Sequence, residues 1–313
     1  MSSMLGIETR RSAHIALVGL AVIWGSNWIV MKFALLHAHP ILYNVQRIWL
    51  AVATLFAVMV WQRKLAWPAV WWPILVTGFL QMLNFGSTTM ALAGGGAGRT
   101  SVLVFTMPFW TLLIAWPVLH ERVRGALWFA VAFALAGLLL VVEPWRWEGD
   151  LGSKLWAVLS GFGWAAGTVA TKYYQRRYNL DMLNFLAWQM VVGVLPLTPL
   201  PLLLDLPPAR WDAAYVGQLA WTAVVSTALG FMLWIEILRH LPAGTATLNM
   251  FSIPVIALVS SMILFDERLT GNEWTGIACI ACGLAILTAQ TLIDARRGER
   301  ELRPATPTPL DGG

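Results

Sequence analysis

Charge is what this chain has least of. Only 12% of its 313 residues are Asp, Glu, Lys or Arg, while 58% are hydrophobic and the mean hydropathy is +0.67. Soluble domains carry about 25% charged residues, so the composition excludes a water-exposed surface and implies an integral membrane protein. Cysteine is nearly absent, with Cys279 and Cys282 forming one C-x-x-C. That spacing serves redox or metal chemistry when a second pair or an electropositive setting accompanies it. Here both thiols sit inside an apolar run and read as small hydrophobic packing residues. The histidines, His37 and His39 among them, occupy loops or the ends of apolar stretches without metal-ligand spacing. Neither a metal nor a cofactor is implied. Lys and Arg outnumber Asp and Glu by 21 to 16, yet no basic run is interleaved with aromatics in a polar segment, which argues against a nucleic-acid partner. In a membrane protein such an excess sits in cytoplasmic loops and meets anionic lipid.

Long apolar runs are what the chain has instead. Ala13 to Leu36 is long enough to cross about 30 Å of hydrocarbon, and it has neither the short core nor the cleavage site of a signal peptide. Nine further spans follow, near 41–61, 72–93, 99–119, 125–143, 155–173, 182–204, 214–236, 244–265 and 273–293, divided by Pro, Gly or charge breaks such as Gly94-Gly95-Gly96 and Asp205-Leu206-Pro207-Pro208. The expectation is an all-α fold of ten transmembrane helices, five in residues 13–143 and five in 153–293, with a disordered tail over 294–313. Loops on one side carry thirteen Lys or Arg, the opposite loops five. This places both termini in the cytoplasm.

One stretch occurs twice. Residues 97–138 return 146 residues later with twelve identities, among them Pro108/Pro254, Glu121/Glu267, Arg122/Arg268, Trp128/Trp274 and Gly137/Gly283. Five spans per unit is an odd number, so the second unit enters the membrane inverted. Inverted repeats with a site at their interface are a recurring plan of secondary transporters.

With these residues in view, the sequence resembles the drug/metabolite transporter superfamily in its EamA-type branch, built of two five-helix repeats. The resemblance covers about residues 15–290 and is carried by Trp24-Gly25-Ser26-Asn27 leading to Lys32, by Arg47, and by the paired Pro, Glu-Arg and Gly positions above. The second copy departs from it: Trp164-Ala165-Ala166-Gly167 precedes Lys172 without a Ser-Asn, and Met190 stands where an arginine would echo Gln46-Arg47. What the resemblance implies is export or exchange of a small metabolite, including amino acids, across a bacterial-type inner membrane. A coupling ion or proton, and a monomer or a homodimer, are left open.

The candidate substrate-binding residues are Arg47, Asn27, Trp24, Gln46, Asn84, Trp164 and Asn249. Arg47 lies about seven residues into its helix, roughly 10 Å deep, where a charge faces a cavity or a partner. It either anchors a carboxylate or phosphate, or snorkels, or is satisfied by nearby carbonyls. The intramembrane amides either glue helices together or face the cargo, and the deeper tryptophans, Trp24, Trp28, Trp110, Trp164 and Trp188, either pack or line a cavity. Pro108 and Pro254 are placed mid-helix, where each either frees a carbonyl for substrate or for a hinge, or simply kinks the helix. Lys32 and Lys172 suit gates on opposite faces or snorkel to the interface. All sixteen acids fall in tails, loops or terminal turns, with Glu143 and Glu236 nearest the interior. An exporter of lipophilic cations, the alternative cargo class, needs a buried carboxylate. Its absence tilts the cargo toward anions or zwitterions. A membrane-embedded enzyme would want a cluster of His, Asp or Glu at the interface, and a receptor a large soluble segment; neither is present.

Overall fold

A computed structural model describes residues 9–120, 125–143, 151–178, 180–240 and 252–301. Among them every regular element is helical. In chain order these are α1 (Arg10–Ala34), α2 (Pro40–Trp61), α3 (Trp72–Gly94), α4 (Ala97–Val104), α5 (Met107–Leu119), α6 (Leu127–Val142), α7 (Leu151–Arg177), α8 (Met182–Val194), the short α9 (Leu200–Leu203), α10 (Ala213–Ala220), a π-helical stretch (Trp221–Leu229), α11 (Gly230–His240), α12 (Ser252–Phe265) and α13 (Gly271–Glu301).

Local chemistry explains where they begin. Thr9 and Ser12 form a capping box at α1, and Pro40 opens α2 with its ring already at a helical φ. Asp181 and Asp212 accept the Asn184 and Tyr215 amides at the starts of α8 and α10. Thr270 and Glu273 close a reciprocal box on α13, the Glu273 amide donating to Thr270 Oγ1 at 3.2 Å and the Thr270 amide to Glu273 Oε2 at 2.8 Å.

Six stretches are long and apolar enough to cross a membrane: Arg11–Ala34, Pro40–Trp61, Ala97–Leu119, Met182–Leu203, Ala213–Trp234 and Gly271–Gln290, with shorter apolar helices at Leu127–Val142 and Ile253–Phe265. The distribution of side chains is that of a protein in lipid. Leu202, Trp61, Ile263 and Phe129 are exposed, whereas Asn44, Arg47, Asn84, Ser160 and Thr227 are buried. Polar groups inside are tolerable because they meet protein rather than hydrocarbon.

Three expectations need correction. The fourth apolar stretch is broken, not kinked: α4 stops at Val104, Phe105 and Thr106 turn, and Pro108 sits in the first turn of α5. There the missing N–H removes no helical bond, so the break precedes the proline. Pro254 is the third described residue of α12, and what precedes Ser252 lies outside the described residues. The final helix continues through Glu301 instead of yielding to a tail at 294. Ala, Arg and Glu dominate Asp294–Glu301, and these are good helix formers despite their charge. Trp188 is not deep: it stacks with Trp67, Trp71 and Phe56, and its indole N–H donates to the Ala66 carbonyl at 3.1 Å.

The two halves are interleaved, and their pairings are reciprocal. Helix α3 packs on α7 as α1 packs on α11; α5 meets α7 as α1 meets α12; α3 crosses α8 as α2 crosses the π stretch. The crossing of α6 with α13 repeats itself. A Cβ at Gly137 would fall 2.5 Å from the Gly276 carbonyl oxygen, and one at Gly283 2.7 Å from that of Ala130. Adding 146 to 137 and 130 gives 283 and 276, so the two close contacts are the same contact seen from either repeat. Only glycine lets these backbones approach so closely.

Candidate functional site

A cavity of about 100 Å³ lies where α1, α2, α3, α7, the π stretch and the α4–α5 break converge. Its charged pole is Arg47. The side chain is 4% exposed, its carbon Cζ lies 5.0 Å from the Phe85 ring centroid, and no described carboxylate forms an ion pair with it. Instead Nε and Nη2 donate to Thr227 Oγ1 at 3.2 and 3.0 Å, and Nη1 faces Met31 Sδ at 3.5 Å. Thr227 is available because of the π geometry. Its hydroxyl donates to the carbonyl of Thr222, five residues back, at 2.7 Å, which leaves the oxygen lone pairs turned to Arg47. Such widened turns concentrate at functional sites.

Asn27 stands beside this pole. Its Nδ2 donates to Met31 Sδ at 2.9 Å, while Oδ1 is buried with no donor. On the far wall Asn84 Nδ2 donates to Ser160 O and Oγ at 3.0 and 2.9 Å, and Thr88 Oγ1 lies 2.6 Å from Ser160 Oγ. This second polar group joins α3 to α7 and is satisfied internally. Aromatic rings fill the space between. Trp24 meets Trp164 at 6.5 Å, Phe231 at 5.7 Å and Trp234 at 6.1 Å, and Trp164 meets Phe231 at 5.8 Å. The Trp24 indole is fixed by a 3.0 Å bond to the Ser226 carbonyl, also in the π stretch.

The structure thus gathers Arg47, Asn27, Trp24, Asn84 and Trp164 around one cavity. Gln46 faces elsewhere and accepts a short bond from the Tyr215 hydroxyl. Asn249, like Glu121 and Arg122, lies outside the described residues. Lys172 is exposed on α7, away from the cavity. Lys32 donates to the Leu92 and Gly95 carbonyls at 2.5 and 2.6 Å, tying the end of α1 to the end of α3.

That same end of the bundle is cross-linked further. The Glu267 carboxylate, after α12, accepts from the Gly98 and Arg99 amides at 3.0 Å each and from the Ser261 hydroxyl. It caps α4 from the other repeat. A Cβ at Gly96 would sit 2.2 Å from Glu267 Oε1, so the glycine run makes room for the carboxylate. Arg99 Nε lies 2.8 Å from Glu273 Oε1, Lys154 Nζ 3.8 Å from the same oxygen, and Asn272 Nδ2 donates to Glu143 Oε1 at 2.8 Å.

Sequence reasoning missed Met31, Thr227, Ser160 and Phe231. A methionine, a threonine and a phenylalanine in apolar runs carry no distinguishing mark, and a π register leaves no period to read. The Gly94-Gly95-Gly96 run and the repeated Glu267 are both visible in the sequence, but 171 residues separate Gly96 from Glu267 and nothing in the sequence joins them.

Family comparison settles the class. The profile described as the EamA-like transporter family matches residues 11–143 and again 152–289. The chain belongs to this family. Among relatives, the uncharacterized transporter YoaV of Bacillus subtilis is 24% identical over 286 residues, covering 88% of this chain and 96% of its own. Proteins named "Probable amino-acid metabolite efflux pump" from Salmonella typhimurium and Escherichia coli are 27% and 26% identical over 295 residues, each covering 89% of this chain and 95% of their own. A solved crystal structure at 18% identity shares the fold, with a TM-score of 0.61 over 94% of this chain and 99% of that one.

Proposed function

We propose that this EamA-family transporter is a secondary carrier that moves a small carboxylated metabolite, anionic or zwitterionic, out of the cell by alternating access. In this reading ten spans form two inverted five-helix repeats in a bacterial inner membrane, both termini are cytoplasmic, and Arg47 anchors the cargo's carboxylate between the halves. The observation that carries it is Arg47 itself: a guanidinium buried at a cavity wall with no carboxylate opposite it among the described residues. A buried cation without a counter-ion costs several kcal/mol, and a bound anion offsets that cost with bidentate hydrogen bonds. The names of the two efflux-pump relatives support an amino-acid-like cargo and the outward direction. Among its lining residues the cavity presents no Asp or Glu, which disfavours the alternative, an exporter of lipophilic cations.

Size narrows the cargo further. A cavity of about 150 Å³ admits benzene, and this one is about 100 Å³. A ligand of more than roughly four heavy atoms therefore requires side chains to move. The test is to overexpress the chain and its Arg47→Ala variant and to profile metabolites in the medium. Release of a carboxylated compound by the first and not the second supports the anchor. Equal release from both removes that role, and inert reconstituted vesicles count against the carrier.

A further inference from the structure

Arg47 on α2 and Asn27 on α1 aim donors at a single atom. Arg47 Nη1 lies 3.5 Å from Met31 Sδ, and Asn27 Nδ2 lies 2.9 Å from it. A thioether is a weak acceptor, whereas a buried guanidinium N–H ordinarily finds a carboxylate or carbonyl. The mismatch is not relieved elsewhere, because Thr227 Oγ1 already serves Nε and Nη2. On the same amide, Asn27 Oδ1 is buried and has no donor. The pole of the cavity therefore offers two N–H groups converging on one point and, beside them, an unused acceptor. A plain apolar filler at position 31 would pack as well. What it would not do is stand between two donors.

We propose that Met31 Sδ holds the place of the substrate's carboxylate, and that loading is an exchange of acceptors at Arg47 and Asn27. The carboxylate displaces the sulfur from both donors, and Met31, with three rotatable bonds, swings aside at little cost. Asn27 Oδ1 then takes the ammonium group on the carbon next to the carboxylate. The cargo class is accordingly the small α-amino acid and not the simple carboxylate. This rests on the reading of Arg47 as anchor and adds two assignments to it: Met31 as a residue that tunes affinity, and Asn27 as the residue that reads the amino group. The closed aromatic wall of Trp24, Trp164 and Phe231 leaves room for a short side chain only.

The experiment uses the full chain purified in lipid nanodiscs and titrated with L-alanine and with propionate, which differ by the ammonium group. The readout is tryptophan fluorescence, since Trp24 and Trp164 line the cavity. Wild type should bind L-alanine at least about tenfold more tightly than propionate, the size of one charge-assisted hydrogen bond. Asn27→Leu removes one of the two carboxylate donors, so it should weaken propionate by less than about tenfold and lose the preference for L-alanine. Met31→Leu, a swap of nearly equal volume, should keep the preference and tighten both ligands about three- to fivefold, because no sulfur contact is given up. Met31→Glu places a carboxylate on Arg47 and should abolish binding of both. Should that variant fail to fold, Met31→Gln, carrying a neutral but stronger acceptor, should weaken both by about fivefold or more.

Equal binding of L-alanine and propionate by wild type, or a preference that survives Asn27→Leu, overturns the amino-acid assignment. Wild-type affinity in folded Met31→Glu or Met31→Gln overturns the exchange. If both ligands bind equally and Arg47→Ala abolishes both, the anchor stands and only this inference falls. If wild type binds neither ligand, or Arg47→Ala binds as wild type does, the anchor reading itself falls.

Discussion

Glu267 offers the sharpest test of how the two repeats hold one another. Its carboxylate accepts the Gly98 and Arg99 amides at 3.0 Å each and the Ser261 hydroxyl, and it lies 3.8 Å from Arg99 Nε. The first amides of a helix have no partner inside it, so α4 depends on this residue from the opposite half. Hydrogen bonds to a charged group contribute about 1.5–3 kcal/mol each. Removing the side chain in Glu267→Ala strands two buried amides and a hydroxyl, and the contributions overlap because they share one carboxylate. A net loss of about 3–5 kcal/mol is expected, the range seen when one partner of a buried charged pair is removed. Glu267→Gln keeps an acceptor for one amide and should lose about half of that.

The loss is local to one end of the bundle, so it should appear as opening there before it appears as global unfolding. Hydrogen exchange resolved to single amides is the assay. Gly98 and Arg99 should exchange about a hundredfold faster or more in Glu267→Ala, since each 1.4 kcal/mol is a factor of ten. Asn84 and Thr88, in the middle of α3, should change little. Gly96→Ala perturbs the same contact without touching the acid, because its Cβ would lie 2.2 Å from the carboxylate oxygen; it should raise exchange at the same amides. If both variants leave Gly98 and Arg99 as protected as in wild type, Glu267 does not secure α4 and the cross-repeat cap contributes nothing.

Three other outcomes follow from the same geometry. Thr227→Val keeps the shape but strands two Arg47 donors, so the protein should lose about 1–3 kcal/mol of stability in denaturant unfolding and, with one competing acceptor gone, bind carboxylates more tightly. Gly137→Ala and Gly283→Ala should each destabilise by about 1–3 kcal/mol, and the double variant should cost less than their sum, because helices parted by the first methyl already admit the second. At the end of the bundle that Glu267 caps, the Asp212 carboxyl is held below its ordinary value by the Tyr215 amide and, secondarily, by His37 Nε2 at 3.2 Å. A depressed carboxyl stabilises the fold above its unfolded pKa and loses that contribution as pH falls through its folded value. Asp212→Asn should therefore lower the melting temperature at pH 7, and the difference from wild type should shrink below about pH 4.

Much of the scaffold was legible because it is written in composition and repetition. Hydropathy marks the spans, and the matched Gly137 and Gly283 belong to one reciprocal helix crossing. Arg47, Asn27, Trp24, Asn84 and Trp164 could be singled out because amides, a guanidinium and indoles are conspicuous in an apolar run. Gln46 was equally conspicuous and turns to Tyr215 instead, since adjacent helical positions point about 100° apart and only one of Gln46 and Arg47 can face the cavity. Pro108 was visible, but its effect was misplaced: a proline can start a helix as readily as bend one, and the sequence does not say which. Met31 and Thr227 were illegible for a deeper reason. Their importance comes from what lies opposite, and Thr227 reaches Arg47 from 180 residues away through a π turn.

The bonds that define the site also join the repeats. Arg47, in the first, is held by Thr227 in the second; Trp24 is held by Ser226; Glu267 in the second caps α4 in the first. A ligand shifts a conformational equilibrium only through contacts that differ between the states. Any motion that parts α2 from the π stretch removes the hydroxyl acceptor from Arg47 and leaves the guanidinium with a thioether. Under the proposed anchor role, an acceptor stronger than Thr227 or Met31 stabilises the arrangement in which Arg47 is free of them, and carboxylate binding and repeat movement draw on the same hydrogen bonds. The asymmetry of the site follows as well. In the proposed mechanism one arginine, held from across the interface by Thr227, makes its occupancy depend on where the other half stands.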